Sequence, residues 1–190
     1  MAVHPSLSRR VLRVLTMLLD DPAGTLDSHK ALGPHLSSLV RDVVISTGTW
    51  RVGRKAAILR LHAMQVLLRL LEPKGEEKAA LATPEVIAKA GFAEALKAVV
   101  SCLEDADVET RRTSLMVVDL FLAEPMRGEL TGLLKRLDDS RDELRVQTCG
   151  VFLNFFAAVG SGAIVLDDVH WDYVVKGVLI HLDDANEALQ

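Results

Sequence analysis

Leu133 to Phe156 reads LLKRLDDSRDELRVQTCGVFLNFF, one helical hairpin written in 24 residues. Leu133, Leu134 and Leu137 close a first helix. The polar run from Asp138 to Asp142 turns the chain, and apolar residues resume at helical spacing at Leu144, Val151, Phe152 and Phe155. Ser140 and Glu143 stand three apart at the second helix's start. That spacing predicts a capping box, in which the Ser hydroxyl accepts from an orphan amide while the Glu carboxylate reaches back to another.

The hairpin recurs. Leu137, Asp138, Asp139, Glu143 and Arg145 align with Leu103, Glu104, Asp105, Glu109 and Arg111, 34 residues upstream. Leu137, Asp138 and Asp139 also align with Leu182, Asp183 and Asp184, 45 residues downstream. A weaker copy is Leu19, Asp20, Asp21 and Pro22. Two helices per unit at this spacing are the mark of a helical solenoid. An apolar residue, an acidic turn, and an apolar residue followed by Arg together resemble the HEAT repeat. The expected fold class is therefore all-α, an α–α superhelix of HEAT/armadillo-like hairpins.

Composition narrows the functional classes. Of 190 residues 49% are hydrophobic, enough for a sizeable core. The net charge of −4 gives no global basic field to draw in nucleic acid or an anionic membrane. With aromatic residues at 4%, there are few platforms on which bases could stack. No apolar run approaches the ~18 residues of a bilayer span, and Asn154 interrupts the most apolar stretch, so a soluble protein is expected. Cys102 and Cys149 lie on apolar helical stretches without metal-ligand spacing and read as small buried hydrophobes in a reducing compartment. Arg9, Arg10 and Arg13, with no acid before Asp20, give residues 1–19 the look of a mitochondrial presequence. The same stretch also reads as an ordinary amphipathic helix, and a cytoplasmic location is expected.

In chain order, residues 6–19 read as a helix on Leu7, Val11, Val14, Leu15 and Leu18. A second helix runs from Leu32 to Ile45, followed by a turn from Ser46 to Thr49, and a long third helix runs from Trp50 to Leu71. Arg51, Arg54, Lys55 and Arg60 crowd its start, where positive charge opposes the helix dipole and calls for anionic neighbours. Pairing with acidic turns of adjacent repeats is favoured over a partner-binding patch. Residues 72–84 are polar and mark a loop or sub-boundary. Thr83, Pro84 and Glu85 then start a helix with a threonine N-cap, and Gly91 predicts a kink in it. A helix from Val108 to Leu122 carries Arg112 and Asp119 seven residues apart on one face. The helix from Arg141 to Val159 is apolar almost all round, with Val146, Leu153 and Phe156 off its main stripe, and is expected to be covered on several sides. Residues 1–190 are read as a single HEAT array, the C-terminal part of a longer solenoid.

No catalytic constellation emerges, and no cofactor or small-molecule substrate is called for. Asp167, Asp168, His170 and Asp172 form the densest acid and histidine cluster, which an acidic first turn explains without a metal. Gly160-Ser161-Gly162 has neither the preceding strand nor the GK[ST] of a phosphate loop. The residues proposed for partner binding are Arg51, Arg54, Arg112 and Asp119.

Three stretches resemble one family, the HEAT-repeat axonemal dynein assembly factors. They are Trp50, Arg51, Gly53, Arg54, Ala56 and Ala57; Glu129 and Leu133 to Asp139 with Glu143, Leu144 and Arg145; and His181 to Asp184 with Ala188, Leu189 and Gln190. The resemblance spans about residues 31–190 and departs from the family in a short connection from Leu122 to Leu130. It implies a cytoplasmic, non-enzymatic scaffold that helps preassemble dynein arms. Its implied partners are dynein chains, chaperones and other assembly factors, with no nucleic acid or membrane. A generic HEAT or armadillo adaptor, of the transport or phosphatase scaffold type, would keep the architecture and change the cargo.

Overall fold

The computed structural model describes residues 5–20, 31–73, 80–121, 130–184 and 186. Among these there is no β-strand. The chain divides into two compact units, residues 1–117 and 118–190.

The first unit begins with α1, Pro5–Leu19. Its buried stripe is Leu12, Leu15 and Leu19, whereas Leu7, Val11, Val14 and Leu18 are 36–53% exposed. The expected stripe was thus about a quarter turn off. Two apolar rows at helical spacing coexist in this helix, and only contact with α3 chooses between them. Next comes α2, residues 33–48, which passes from a 3-10 turn (Gly33–His35) through a short α stretch to a π stretch (Leu39–Ile45) and ends in Ser46–Gly48. The helix therefore outruns its expected end. Ser46, Thr47 and Thr49, expected to turn the chain, instead donate their hydroxyls back to the carbonyls of Asp42, Val43 and Ile45, at 2.6, 2.5 and 2.8 Å.

Helix α3 is Arg54–Leu71, four residues shorter at its start than the sequence reading. Gly53 precedes it at φ +110°, a conformation that other residues rarely adopt, and so breaks the run. Thr49 consequently does not cap it. Helix α4, Pro84–Leu103, has proline in its first turn, but Thr83 makes no capping side-chain bond. Gly91, at φ +115°, ψ +81°, kinks α4 where the sequence predicted a break. Helix α2 packs against both α3 and α4. Val40, Val44, Ala63, Met64, Leu67, Leu70, Val99, Cys102 and Leu103 are buried in this unit. Residues 74–79 of the 72–84 connection lie outside the described residues.

Helix α5, Val108–Phe121, buries Val117, Val118 and Phe121 and carries the chain across the division between the units; its expected last residue, Leu122, lies outside the described residues. In the second unit, α6 (Leu130–Leu134) tightens into a 3-10 turn, Lys135–Asp138. Helices α7 (Asp142–Gly160) and α8 (Asp168–Leu179) follow. Leu144, Thr148, Val151, Phe152 and Phe155 are buried on α7. Phe156 meets Trp171 of α8 edge-on at 5.8 Å between ring centres. Leu153, however, is 71% exposed and Val146 39%, so α7 is covered on one face and not on several. The expected capping box is also absent. Residue 141 precedes the helix without a side-chain cap, and Ser140 is exposed.

Candidate functional site

The surface charges can be assigned only after the structural ones are removed, and the repeated acidic turn does most of that sorting. Asp105, Asp139 and Asp184, the three aligned aspartates, are built alike. Each Oδ1 accepts the backbone amide two residues on, from Asp107, Arg141 and Asn186, at 3.0, 3.1 and 2.8 Å. Each Oδ2 accepts from an arginine: Arg60 at 2.6 Å, Arg136 at 2.7 Å, and Arg145 in the third turn. The carboxylate therefore closes the turn locally and, in the first and third cases, ties it to a helix 45 or 39 residues earlier. This Asx arrangement does what the capping box was expected to do, because a buried carboxylate competes better for an amide than the exposed Ser140 hydroxyl.

Arg60 is consequently a structural residue. It is 5% exposed and ion-paired to Asp105. It also donates to the Arg51 carbonyl at 2.7 Å and sits 5.9 Å from the centre of the Trp50 ring. The neighbouring Arg51, Arg54 and Lys55 differ: their side chains are exposed at the start of α3, and none forms an ion pair among the described residues. The ladder reading favoured for the whole cluster holds for Arg60 alone.

The other two proposed positions sit on α5. Arg112 is exposed, and Asp119 is half-buried, its Oδ1 accepting from Asn154 Nδ2 of α7 at 2.8 Å. Asp119 thus helps seat α7 as well as facing outward, a pairing hidden from a sequence in which the two residues stand 35 apart.

At the acid and histidine cluster, Asp167 caps α8. It accepts from the His170 amide at 2.9 Å and lies 2.7 Å from the His170 ring nitrogen Nδ1. The amide's hydrogen bond, followed by that of the ring, holds the Asp167 carboxyl below its ordinary range. No group of three or more histidine, cysteine or acidic side chains poised for a metal ion is found among the described residues. Burial pushes the Cys102 thiol up to about 12 and raises Cys149 as well, the opposite of what a nucleophile needs. No helix is long and apolar enough to cross a membrane, among the described residues.

With helices throughout, closed by repeated turns, the fold is an α–α superhelix of the armadillo/HEAT type. Two designed armadillo repeat proteins match it with TM-scores of 0.61 and 0.57, each over 95% of this chain and 70% of theirs, at 17% and 18% identity. The second of them is in complex with the peptide (KR)4. No family model matches the chain. In sequence it is similar to dynein axonemal assembly factor 5 of Mus musculus, 26% identical over 204 residues and covering 100% of this chain. It is likewise similar to the proteins of that name from Xenopus laevis and Homo sapiens, each 24% identical over 98% of the chain. The chain spans 22% of the length of these relatives. The resemblance to the axonemal dynein assembly factors is thereby borne out, and the similarity runs along nearly the whole chain.

Proposed function

We propose that this chain is a non-enzymatic scaffold for the preassembly of axonemal dynein arms in the cytoplasm. On this reading it holds dynein chains, chaperones or other assembly factors on a helical-repeat surface. The observation that carries the reading is similarity to three vertebrate dynein axonemal assembly factors along nearly the whole chain. The fold supports it, since repeat arrays present extended faces on which other chains dock. Arg51, Arg54 and Arg112 of the first unit are the cations we assign to partner binding and, separately, Asp119 is the residue we assign to it in the second. The test is affinity capture with the tagged chain from cells building cilia. Dynein heavy or intermediate chains and chaperones should be enriched over a tagged control. Importin cargo or phosphatase subunits in their place would redirect the reading to a generic HEAT or armadillo adaptor.

A further inference from the structure

Between α1 and α3 runs a groove of about 450 Å³, lined by Arg9, Arg10, Arg13 and Lys55 with Ile58 and Leu59 at its floor. It continues past Arg9 and Arg13 into a second hollow of about 360 Å³ that reaches Met17 and Gln65. No acidic side chain is among the described residues that line either part. The four cations are exposed and form no ion pair among the described residues. A chain of net charge −4 has therefore gathered, along one concavity, four cations with no acidic partner among the described residues.

The two helices run parallel. Arg9 and Arg10 lie beside Lys55, Arg13 and Thr16 beside His62 and Gln65, and Asp20 pairs with Arg69 at 2.5 Å at the far end. Both helix N-termini consequently open at the same mouth, and their dipoles add to the positive potential there. Mutual repulsion among these cations, together with the dipoles, works against the fold, so the cluster does not exist to stabilise it. Clefts lined by one sign of charge focus the field and concentrate the opposite charge.

We propose that this groove binds an acidic, extended segment of a partner protein, with carboxylates on the arginines and an apolar residue over Ile58 and Leu59. The shape fits that occupant. From Arg9 to Met17 the helix advances about 12 Å, the span of roughly four residues of extended chain. The site is concave, whereas a bilayer needs a convex or flat face, and no Phe, Tyr or Trp is among the described residues that line it. The inference rests on the groove alone and does not depend on the dynein reading.

The test uses the whole chain and a dye-labelled peptide of four Glu-Leu repeats, followed by fluorescence anisotropy at 50 and 300 mM salt. We expect saturable one-to-one binding that weakens with salt and falls at least tenfold in Arg9→Glu/Arg13→Glu. The milder Arg9→Gln/Arg13→Gln should fall in the same direction. Arg41→Glu/Lys97→Glu, the same change in net charge at exposed positions elsewhere in the unit, should bind as the parent does. Circular dichroism reports folding of each variant. Absence of saturable binding, or equal losses in the groove and control variants, overturns the proposal. So does tighter, groove-dependent binding of a poly-U oligonucleotide or of phosphatidylserine vesicles than of the peptide.

Discussion

Helices α3 and α7 are almost equal in length, 18 and 19 residues, and α7 has the more apolar sequence, yet α3 is the more buried. Eight residues of α3 are buried, one of them Arg60, against five of α7. Hydrophobicity states how much of a helix can be buried, while the neighbours decide how much is. Helix α3 receives α1 along one side and α2 on another, and Asp105 satisfies its inward-facing charge. Helix α7 leaves Leu153 and Val146 open.

The contrast is broken most severely at Phe152, which is 3% exposed. Phe152→Ala should cost about 3 to 5 kcal/mol through the cavity it leaves, whereas Leu153→Ala on the open side should stay within about 0.5 kcal/mol. Chemical denaturation of both variants measures this, and hydrogen exchange should show lost protection from Leu144 to Val159 in Phe152→Ala only. Equal effects would mean that α7 has no distinct buried face. On α3 the corresponding pair is Asp105→Ala and Arg54→Ala. The first strands the Arg60 guanidinium in the interior and should cost roughly 3 kcal/mol, and the second should cost next to nothing.

A smaller effect separates the cysteines. Cys102 is fully buried, its thiol donating to the Gly48 carbonyl, and is held protonated to about 12 by burial. Iodoacetamide at pH 8 should therefore consume Cys149 while Cys102 remains, as mass spectrometry of the intact chain would show; prior loss of Cys102 would contradict its placement. The smallest effect concerns Asp167. Its carboxyl is held below the ordinary range in the folded state, so it stabilises the start of α8 above the unfolded value. That contribution is lost as the pH falls through the lowered value, so amide protection at His170 should decline there. It should not decline in that pH range in Asp167→Asn, whose amide keeps an acceptor oxygen and does not titrate.

The repeat was legible in the sequence because the same residue does the same work three times: Asp105, Asp139 and Asp184 recur with their leucines, and each closes a turn. The kink at Gly91 was legible because only glycine tolerates its backbone angles cheaply. Arg60 was legible as a cation that needs an acidic turn, but which aspartate it and Arg145 reach was not, since they stand 45 and 39 residues from their partners and spacing of that order carries no local signal. Helix α1 shows another limit. Leu7, Val11, Val14 and Leu18 are as regular a row as Leu12, Leu15 and Leu19, so periodicity gives the helix and not its inward face. The basic cluster of α3 was legible as charge, but its division into one buried structural arginine and exposed neighbours depends on where the turn after α4 arrives.

On the proposed function, the cations left exposed after that division serve recognition and not folding. Capture of dynein chains from ciliated-cell extract by Arg51→Glu/Arg54→Glu, alongside thermal unfolding of the same preparation, is the measurement that decides this. Capture should fall severalfold while the melting temperature stays within about 2 °C of the parent, the range expected for exposed positions. Capture that is unchanged, or that falls only as the protein unfolds, would contradict it.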